Sequence, residues 1–522
     1  MGELQTGELG FRYTFYVCMM YTGCMESKTL PPANREFLRI VSAASYINPF
    51  TAEYEEQQRR IANCDASVPY AEQIKLTVER WNEQLHQLHV AGVTTLKQVA
   101  GEDRELLRYA FLYEIYHRFL SAFDELIADQ IAAGDRSVPV PFASKALALF
   151  TRRGFDGAEA RRYFAIFYQI RRAYFFIDHG LIGTSPCMRQ LRLHLWNNVF
   201  THDIRWYERH LWNRMEDFST MLLGETGTGK GTAAAAIGRS GFIPFDDRKD
   251  CFAESFMRSF VSINLSQFPE TLIESELFGH KKGAFTGAVD DHAGVFARCS
   301  PHGAIFLDEI GDASIPTQIK LLQVLQERTF SPVGSHEKLR FRGRVIAATN
   351  KPLDQLRASG QFRDDFYYRL CSDVITVPPL RQRITEDTRE LDDLVTHLVL
   401  RLTGEPSKEA VQLVHEVIDN VLGRNYPWPG NVRELEQAVR RILLTKHYEG
   451  DHKSVAPDLQ SRLRDGIERG SLDADTLLSG YCQLLYGRHG TYEEVARRTK
   501  LDRRTVKAYL EKRARDTGLV AQ

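Results

Sequence analysis

A glycine-rich segment in the middle of the chain has the spacing of a phosphate-binding loop. The apolar run Thr220-Met-Leu-Leu leads into GETGTGKG, and a helix-forming stretch, TAAAAIG, follows it directly. Strand, loop and helix in this order turn backbone N–H groups towards a phosphate, and the helix dipole adds to the attraction. The spacing therefore predicts an ATP site, with Lys230 on the β- and γ-phosphates. The loop consists of Gly224, Glu225, Thr226, Gly227, Thr228, Gly229, Lys230 and Gly231.

The last residue of this loop departs from the usual pattern. A Ser or Thr hydroxyl normally follows the lysine and binds Mg²⁺, whereas this chain has Gly231. Thr232 comes one residue later, which turns its side chain about 100° around the helix. We therefore expect Mg²⁺ to rest on phosphates, water and acidic side chains elsewhere.

An acidic pair follows a second apolar strand. The segment GAIFLDEIGD, residues 303–312, places Asp308 and Glu309 where that strand ends. A carboxylate there can hold the Mg²⁺ shell, and its neighbour can orient or deprotonate the attacking water. Alone, the pair could be an ordinary strand end; with a phosphate-binding loop upstream, the nucleotide interpretation is favoured.

Between these motifs lies ESELFGHKKGAFTGA, residues 274–288. ATP hydrolysis does not require GAFTGA. Small residues around Phe285 and Thr286 favour a loop tip that presents an aromatic ring for contact, although a glycine-rich hairpin fits the same pattern.

Taken together, these motifs closely resemble the AAA+ domain of bacterial sigma-54-dependent transcription activators. The resemblance covers about Leu181 to Tyr448 and also includes FRDDFYYRL and YPWPGNVRELEQAV. It implies a ring, usually a hexamer, that hydrolyses ATP between subunits and pushes a loop against sigma-54 RNA polymerase. The loop residues that would touch sigma-54 are Gly283, Ala284, Phe285, Thr286, Gly287 and Ala288.

The resemblance also implies roles for individual residues. Asp308 would bind the metal, Mg²⁺, and Glu309 would act on the water. Asn264 would restrain that glutamate until nucleotide is bound, and Asn350 would read the γ-phosphate. The arginines that it assigns are Arg363 and Arg369, one of them a finger into the neighbouring subunit's site, and Arg433, the second sensor in the lid.

Two stretches look like insertions in this family's pattern. Residues 197–217 precede the strand before the phosphate-binding loop, and residues 241–257 follow its helix. The sequence allows two locations for these insertions, the outer surface of the ring and a subunit interface.

The C-terminal tail is basic, although the whole chain carries a formal charge of -1. Residues 488–515 hold ten Lys or Arg against four Asp or Glu, and their pattern predicts two helices with a turn at 500–502. This fits a helix-turn-helix, and its position resembles the Fis-like DNA-binding domains of the same activators. A solvated basic face is the alternative. The expected DNA contacts are Arg503, Arg504, Thr505 and Lys507.

The N-terminal third is rich in helix formers and aromatic residues. Leu106 to Ala128 and Glu159 to Ile177 have helical spacing of apolar residues. Such stripes more often form a core than line a ligand pocket. The sequence therefore does not indicate which effector this region binds.

Composition places the chain among globular proteins, with 43% hydrophobic and 26% charged residues. Scattered cysteines without CxxC pairs indicate reduced thiols in the cytoplasm, and no apolar run is long enough to cross a membrane.

The expected fold is an α/β AAA+ domain with a parallel sheet and a helical lid, flanked by all-α domains. Two other functions fit less well: a remodeller of a different protein, and a nucleotide-binding scaffold that hydrolyses slowly because of Gly231. The expected segments are 1–33, poorly structured or non-native; 34–180, a helical sensory or regulatory domain; 181–378, the ATPase core; 379–448, its lid; 449–470, a linker; and 471–522, the DNA-binding domain.

Overall fold

The computed structural model describes residues 28–423, 425–450, 459–468, 470 and 472–516. The chain divides into two compact units, the first ending at Lys446 and the second beginning at His447. The prediction for residues 1–33 falls mostly on residues 1–27, outside the described part. Lys28 pairs with Val99 in an isolated bridge, and the first described helix begins at Pro32.

The N-terminal part of the first unit is entirely helical apart from that bridge and a short pairing at Pro139, within the described residues. Its helices are α1 (Pro32–Ala44), α2 (Ala52–Ala62), α3 (Tyr70–Val90), α4 (Gly101–Arg118), α5 (Leu120–Ala133), α6 (Ala143–Arg153) and α7 (Gly157–Asp178). The single helix expected over Leu106 to Ala128 is wrong, because Phe119 leaves helical geometry and stacks on Phe142 with ring centroids 5.7 Å apart. The helix expected over Glu159 to Ile177 is confirmed as α7.

The central part is a five-stranded parallel sheet in the order β4-β5-β8-β1-β9. Because the strands are parallel, their carboxyl ends lie along one edge of the sheet, and Asn264 there is in register with Asp308. This confirms the α/β fold class. The sheet strands are β1 (Thr220–Leu223), β4 (Phe260–Asn264), β5 (Ala304–Asp308), β8 (Arg344–Thr349) and β9 (Asp373–Thr376).

Helices and two small antiparallel hairpins surround this sheet. The hairpins are β2 (Phe245–Asp246) with β3 (Cys251–Phe252), and β6 (Thr329–Phe330) with β7 (Leu339–Arg340). The helices are α8 (Pro186–Phe200), α9 (Ile204–Trp206), α10 (Lys230–Gly238), α11 (Glu270–Phe278), α12 (Val295–Arg298), α13 (Ile315–Glu327), α14 (Leu353–Ala358) and α15 (Asp364–Leu370). The lid is made of α16 (Leu380–Glu386), α17 (Arg389–Thr403), α18 (Lys408–Val417) and α19 (Asn431–Thr445).

Both apparent insertions pack against α7 of the N-terminal helices. From the first, the Tyr207 hydroxyl donates to Gln169 Oε1 at 2.9 Å. From the second, Phe252 stacks on Tyr168 with ring centroids 4.0 Å apart. The structure thus places the insertions at an internal seam of this unit, a location that the sequence did not indicate.

The same helix also closes the far end of α10, the helix that follows the phosphate-binding loop. The buried guanidinium of Arg172 donates to the carbonyl oxygens of Arg239 (2.6 Å) and Gly241 (2.8 Å), and the Gln169 amide donates to that of Ser240 (2.9 Å). These carbonyls belong to the three residues that follow α10, so α7 fixes the turn in which that helix ends. Burial lowers the pKa of Arg172 to about 10, which leaves it charged at neutral pH. N-terminal helices and ATPase sheet share one hydrophobic core.

The described part of the second unit is helical. Its helices are α20 (Leu459–Glu468), α21 (Ala474–His489), α22 (Tyr492–Thr499) and α23 (Arg503–Asp516). Cys482, Leu485, Val495 and Val506 form a small core, and Lys500 adopts φ 57° in the turn between α22 and α23. The expected helix, turn and helix are confirmed, while α21 adds a third helix. Of the predicted linker, residues 459–468 are helical and 451–458 lie outside the described residues. No described helix is long and apolar enough to cross a membrane.

Replacing Arg172 by Met should destabilise the first unit by about 2–3 kcal/mol, because the carbonyl oxygens of Arg239 and Gly241, in the turn after α10, lose their charged donor. Chemical denaturation followed by circular dichroism measures this. Arg161→Met is the control, since Arg161 is 45% exposed and pairs only with Asp247 across the surface. Equal stability of the two variants would contradict the assignment.

Candidate nucleotide-binding site and its exposed loop

The phosphate-binding loop joins β1 to α10 at the carboxyl edge of the sheet. Gly227 has φ 81°, and a side chain there would collide with the carbonyl oxygen of Gly430 in the lid. Val432 of the lid donates its backbone N–H to the Gly227 oxygen at 3.1 Å. The glycine at this position therefore allows the lid to approach the loop closely.

Lys230 begins α10 and lies inside the curve of the loop. Its ammonium donates to the carbonyl oxygens of Gly224 (2.8 Å) and Glu225 (3.1 Å). Burial lowers its pKa, the carboxylates of Glu309 and Asp308 act in the opposite direction, and the charge of Arg433 adds to the lowering. Three charged groups named from the sequence thus act on Lys230.

Gly231 is not required by packing. A side chain built at Gly231 would meet nothing nearer than a Phe306 ring carbon at 4.0 Å, so a hydroxyl would fit there. Thr232 is exposed on the next position of the helix. Within the described residues, no group of three or more His, Cys, Asp or Glu side chains could hold a metal ion by itself.

Asn264 and Asp308 end neighbouring strands and contact each other. The Asn264 amide nitrogen lies 3.3 Å from Asp308 Oδ2, while its oxygen accepts from the Ser266 N–H at 3.0 Å. The structure therefore brings Asn264 to Asp308 rather than to Glu309, and its role as a restraint on Glu309 stays a prediction. A cavity of about 270 Å³ opens beside the pair. Hard oxygen donors of this kind suit Mg²⁺ when phosphates and water complete its shell.

Glu309 and Asn350 lie next to each other, beside the phosphate-binding loop. Glu309 has φ 55°, and its Oε2 lies 3.4 Å from the Asn350 backbone nitrogen. The Asn350 amide donates to the Thr226 hydroxyl at 2.8 Å. The residue named as a γ-phosphate sensor thus touches both the phosphate-binding loop and the predicted catalytic glutamate.

The two candidate finger arginines are bonded elsewhere in this chain. Arg363 pairs with Asp365 at 2.7 Å, and Arg369 donates to the carbonyl oxygen of Leu325 at 2.8 and 3.1 Å. Neither bond reaches the loop of the same chain, as a role in a neighbouring subunit requires. That role is untested.

The GAFTGA segment forms a loop whose neck is an isolated antiparallel bridge between His280 and His292. The Phe285 ring meets the His280 ring edge to face with centroids 4.9 Å apart, yet 37% of the residue is exposed. At the tip, the Gly283 N–H donates to the Ala288 oxygen at 2.8 Å. The remaining tip residues next to Phe285 in sequence are Ala284, Thr286 and Gly287. Ala288 is buried.

In the second unit, the residues predicted to contact DNA begin α23. Arg503, Arg504, Thr505 and Lys507 are all exposed there. Arg503 lies 3.0 Å from Glu493 of α22, and the Arg504 N–H donates to Asp502 at 2.8 Å. They line the first two turns of the second helix of the pair.

The sequence motifs did not predict two residues of the site, Arg381 and Asn431, which both belong to the lid. Asn431 is buried with φ 54°, and its amide donates to Glu225 Oε2 and to the Thr226 oxygen, both at 3.1 Å. Only its place in GNVREL, two residues before Arg433, could have drawn attention to it.

Two known families match the part of the chain that carries these residues. Residues 207–376 match the family described as Sigma-54 interaction domain, and residues 386–470 match the AAA+ ATPase lid domain.

This part of the chain is a sigma-54 interaction domain with an AAA+ lid. The resemblance indicated by the motifs is confirmed for this region. The lid match extends beyond residue 448, where the sequence predicts the lid to end.

Relatives of the sigma-54 interaction domain include several bacterial regulators. The chain is 42% identical over 227 residues to the hydrogenase transcriptional regulatory protein HoxA of Cupriavidus necator, covering 44% of this chain and 43% of that protein. It is 38% identical over 310 residues to a Nif-specific regulatory protein of Klebsiella pneumoniae, covering 56% and 52%. With the DNA-binding transcriptional regulator NtrC of Rhizobium meliloti it shares 39% identity over 265 residues, 50% of each chain. The chain spans about half the length of these relatives.

Among solved structures, NtrX from Brucella abortus in complex with ATP aligns over 70% of this chain and 80% of its own, with 21% identity and a TM-score of 0.37.

Proposed function

We propose that this protein is an ATP-driven transcription activator that acts on sigma-54 RNA polymerase in the cytoplasm. The observation that carries the proposal is a GAFTGA loop, with Phe285 partly exposed, on the same domain as the nucleotide site. Nucleotide binding alone does not require an exposed aromatic ring on a loop that the bridge between His280 and His292 closes.

ATP hydrolysis uses the groups at the carboxyl edge of the sheet. Backbone N–H groups of the loop and Lys230 hold the phosphates, and Glu309 orients and deprotonates the attacking water. Asp308 and phosphate oxygens would hold Mg²⁺, which when bound neutralises phosphate charge. Asn350 bridges the loop and Glu309, so it is positioned to report on the γ-phosphate. Arg433 approaches the phosphates from the lid.

The active assembly is a ring, a hexamer by family resemblance, whose sites are shared between neighbouring subunits. One arginine of the pair Arg363 and Arg369 is the finger that supplies positive charge to the neighbour's transition state. The bonds of Arg363 and Arg369 within the chain support this role, because neither bond reaches the phosphate-binding loop of the same subunit.

A mixing experiment tests the shared site. Arg363→Ala chains and Lys230→Ala chains should each lack ATP turnover, whereas their mixture should recover part of it. In the mixture, an intact loop from one chain meets an intact arginine from the other. Absence of recovery, with both variants assembling as wild type does by sedimentation, would contradict shared sites.

Replacing Phe285 by Ala should leave ATP turnover close to wild type and abolish open-complex formation at a sigma-54 promoter. The ring contacts His280 rather than any nucleotide-site residue, so its loss affects the partner and not hydrolysis. Val289→Ala is the control, because Val289 lies just beyond the motif and is 70% exposed. Activation by the Phe285 variant would refute the mechanism and favour a remodeller of another protein.

The second unit binds upstream DNA through the start of α23. The four exposed residues there, Arg503, Arg504, Thr505 and Lys507, reach base edges, and the other basic residues of the tail contact phosphates. The separate small core of this unit supports a module with its own binding role.

Replacing Arg504 by Ala should weaken binding of the full-length protein to its upstream site about tenfold. Fluorescence anisotropy on a labelled duplex of the activated promoter measures this, and wild-type affinity should fall steeply with salt. Arg464→Ala, in α20 outside the helix pair, should bind as wild type does. DNA binding that does not depend on salt, or an Arg504→Ala variant that binds the duplex as tightly as wild type, would indicate that the tail is a solvated basic surface.

Residues 34–180 regulate the ATPase in response to an effector of unknown chemistry. Support comes from the hydrogen bonds that run from the first insertion through Tyr207 and Gln169 to Ser240 at the end of α10. ATP turnover of the Arg172→Met variant, measured well below its unfolding transition, checks the connection: turnover equal to that of Arg161→Met would contradict it.

A further inference from the structure

Arg381 joins the lid to the phosphate-binding loop through Glu225. Its Nη1 lies 2.7 Å from Glu225 Oε2 and its Nη2 lies 2.5 Å from Glu225 Oε1, a two-point pair between planar groups. Arg381 follows Leu380 at the start of α16, and Glu225 is the second residue of the loop. The pair therefore spans two segments that are 156 residues apart in sequence.

Asn431 makes the same connection from a second direction. Its amide nitrogen donates to Glu225 Oε2 and to the Thr226 carbonyl oxygen, and its Oδ1 accepts the Leu380 N–H at 2.8 Å. One buried amide thus ties together the loop, the start of α16 and the start of α19. The Glu225 carboxylate accepts from both Arg381 and Asn431, and the Arg381 bond is the main cause of its lowered pKa.

Arg381 is separate from the groups that perform phosphate chemistry. The charges that act on Lys230 belong to Glu309, Asp308 and Arg433. The Glu225 side chain is directed to the lid, while its backbone oxygen accepts from Lys230. The contribution of this pair must therefore come from holding the lid and the loop together.

We propose that Arg381 is a positioning residue for nucleotide binding, whose ion pair with Glu225 latches the lid onto the phosphate-binding loop. The latch acts on ATP and ADP alike, because it contacts neither the γ-phosphate nor the water. This inference rests on the proposed ATPase function for its turnover measurements, but not for its ADP measurement.

The expected effect is modest and has a defined kinetic form. Arg381 is 49% exposed and Glu225 44% by side chain, and half-exposed pairs contribute about two- to fivefold in an equilibrium constant. A contact made equally in the ground state and the transition state changes KM and leaves kcat unchanged. Salt should reduce the difference between variant and wild type, because it screens the pair.

Arg381→Gln, Glu225→Gln and the double variant test the latch in the full-length protein. We expect each to raise the KM for ATP and the dissociation constant for ADP, measured by calorimetry, about two- to fivefold at low salt. The double variant should be no worse than the worse single variant, since both remove one interaction. Exchanging the partners, Arg381→Glu with Glu225→Arg, should recover part of the affinity lost by either reversal alone.

Arg389→Gln is the matched control. Arg389 forms a similar pair with Asp387 in the lid at 3.0 Å, without reaching the loop, and should bind nucleotide as wild type does. Unchanged ADP affinity in Arg381→Gln would overturn the latch, and so would a lower kcat at unchanged KM, which would indicate a role in chemistry. Failure of wild-type turnover would refute the proposed function instead, while the ADP measurement would still decide on the latch.

Discussion

Helix α10 is held at both ends by groups that are distant in sequence, and the nucleotide site depends on this. A helix leaves N–H groups without partners at its start and carbonyl oxygens without partners at its end. At the start of α10, the glycine loop turns its N–H groups towards the position of a phosphate, and the lid closes on the loop through Asn431 and Val432. At the end, Arg239 and Ser240 donate to carbonyls of the last turn, and Arg172 and Gln169 of α7 hold these two residues by donating to their carbonyls in turn. The lid therefore fixes the start of the helix that carries Lys230, and the N-terminal helices fix its end.

This arrangement gives the N-terminal helices a structural role besides any regulatory one. Their core continues into the core beneath the sheet, and both insertions contribute aromatic rings or hydroxyls to the seam. Extra chain length in the ATPase region therefore serves to seat the preceding helices. A change in those helices reaches α10 through buried polar groups, where an altered bond is costly because water cannot replace it.

Much of the candidate site could be predicted from sequence, because the groups lie at the ends of strands and at one glycine loop. Parallel strands bring their carboxyl ends to one edge, so Asn264, Asp308 and Asn350 were certain to approach the loop once the strands were recognised. The partner of each group could not be predicted. Asn264 contacts Asp308 rather than Glu309, because the register pairs Asn264 with Asp308 across β4 and β5. Phe119 similarly divides a helix that periodicity indicated as one, since its ring packs on Phe142.

The sequence by itself determined the chemistry and the order of the parts: a phosphate-binding loop, an acidic pair, a GAFTGA loop and a basic helix pair, each encoded by local spacing. Tertiary structure alone decided how these parts are held. Arg172 and Arg381 carry no local signal, and Asn431 has only its place in GNVREL. An arginine or asparagine holds two segments together only when a carbonyl or carboxylate from a distant segment is brought to it. Such pairings depend on packing between segments, which spacing within one segment does not record.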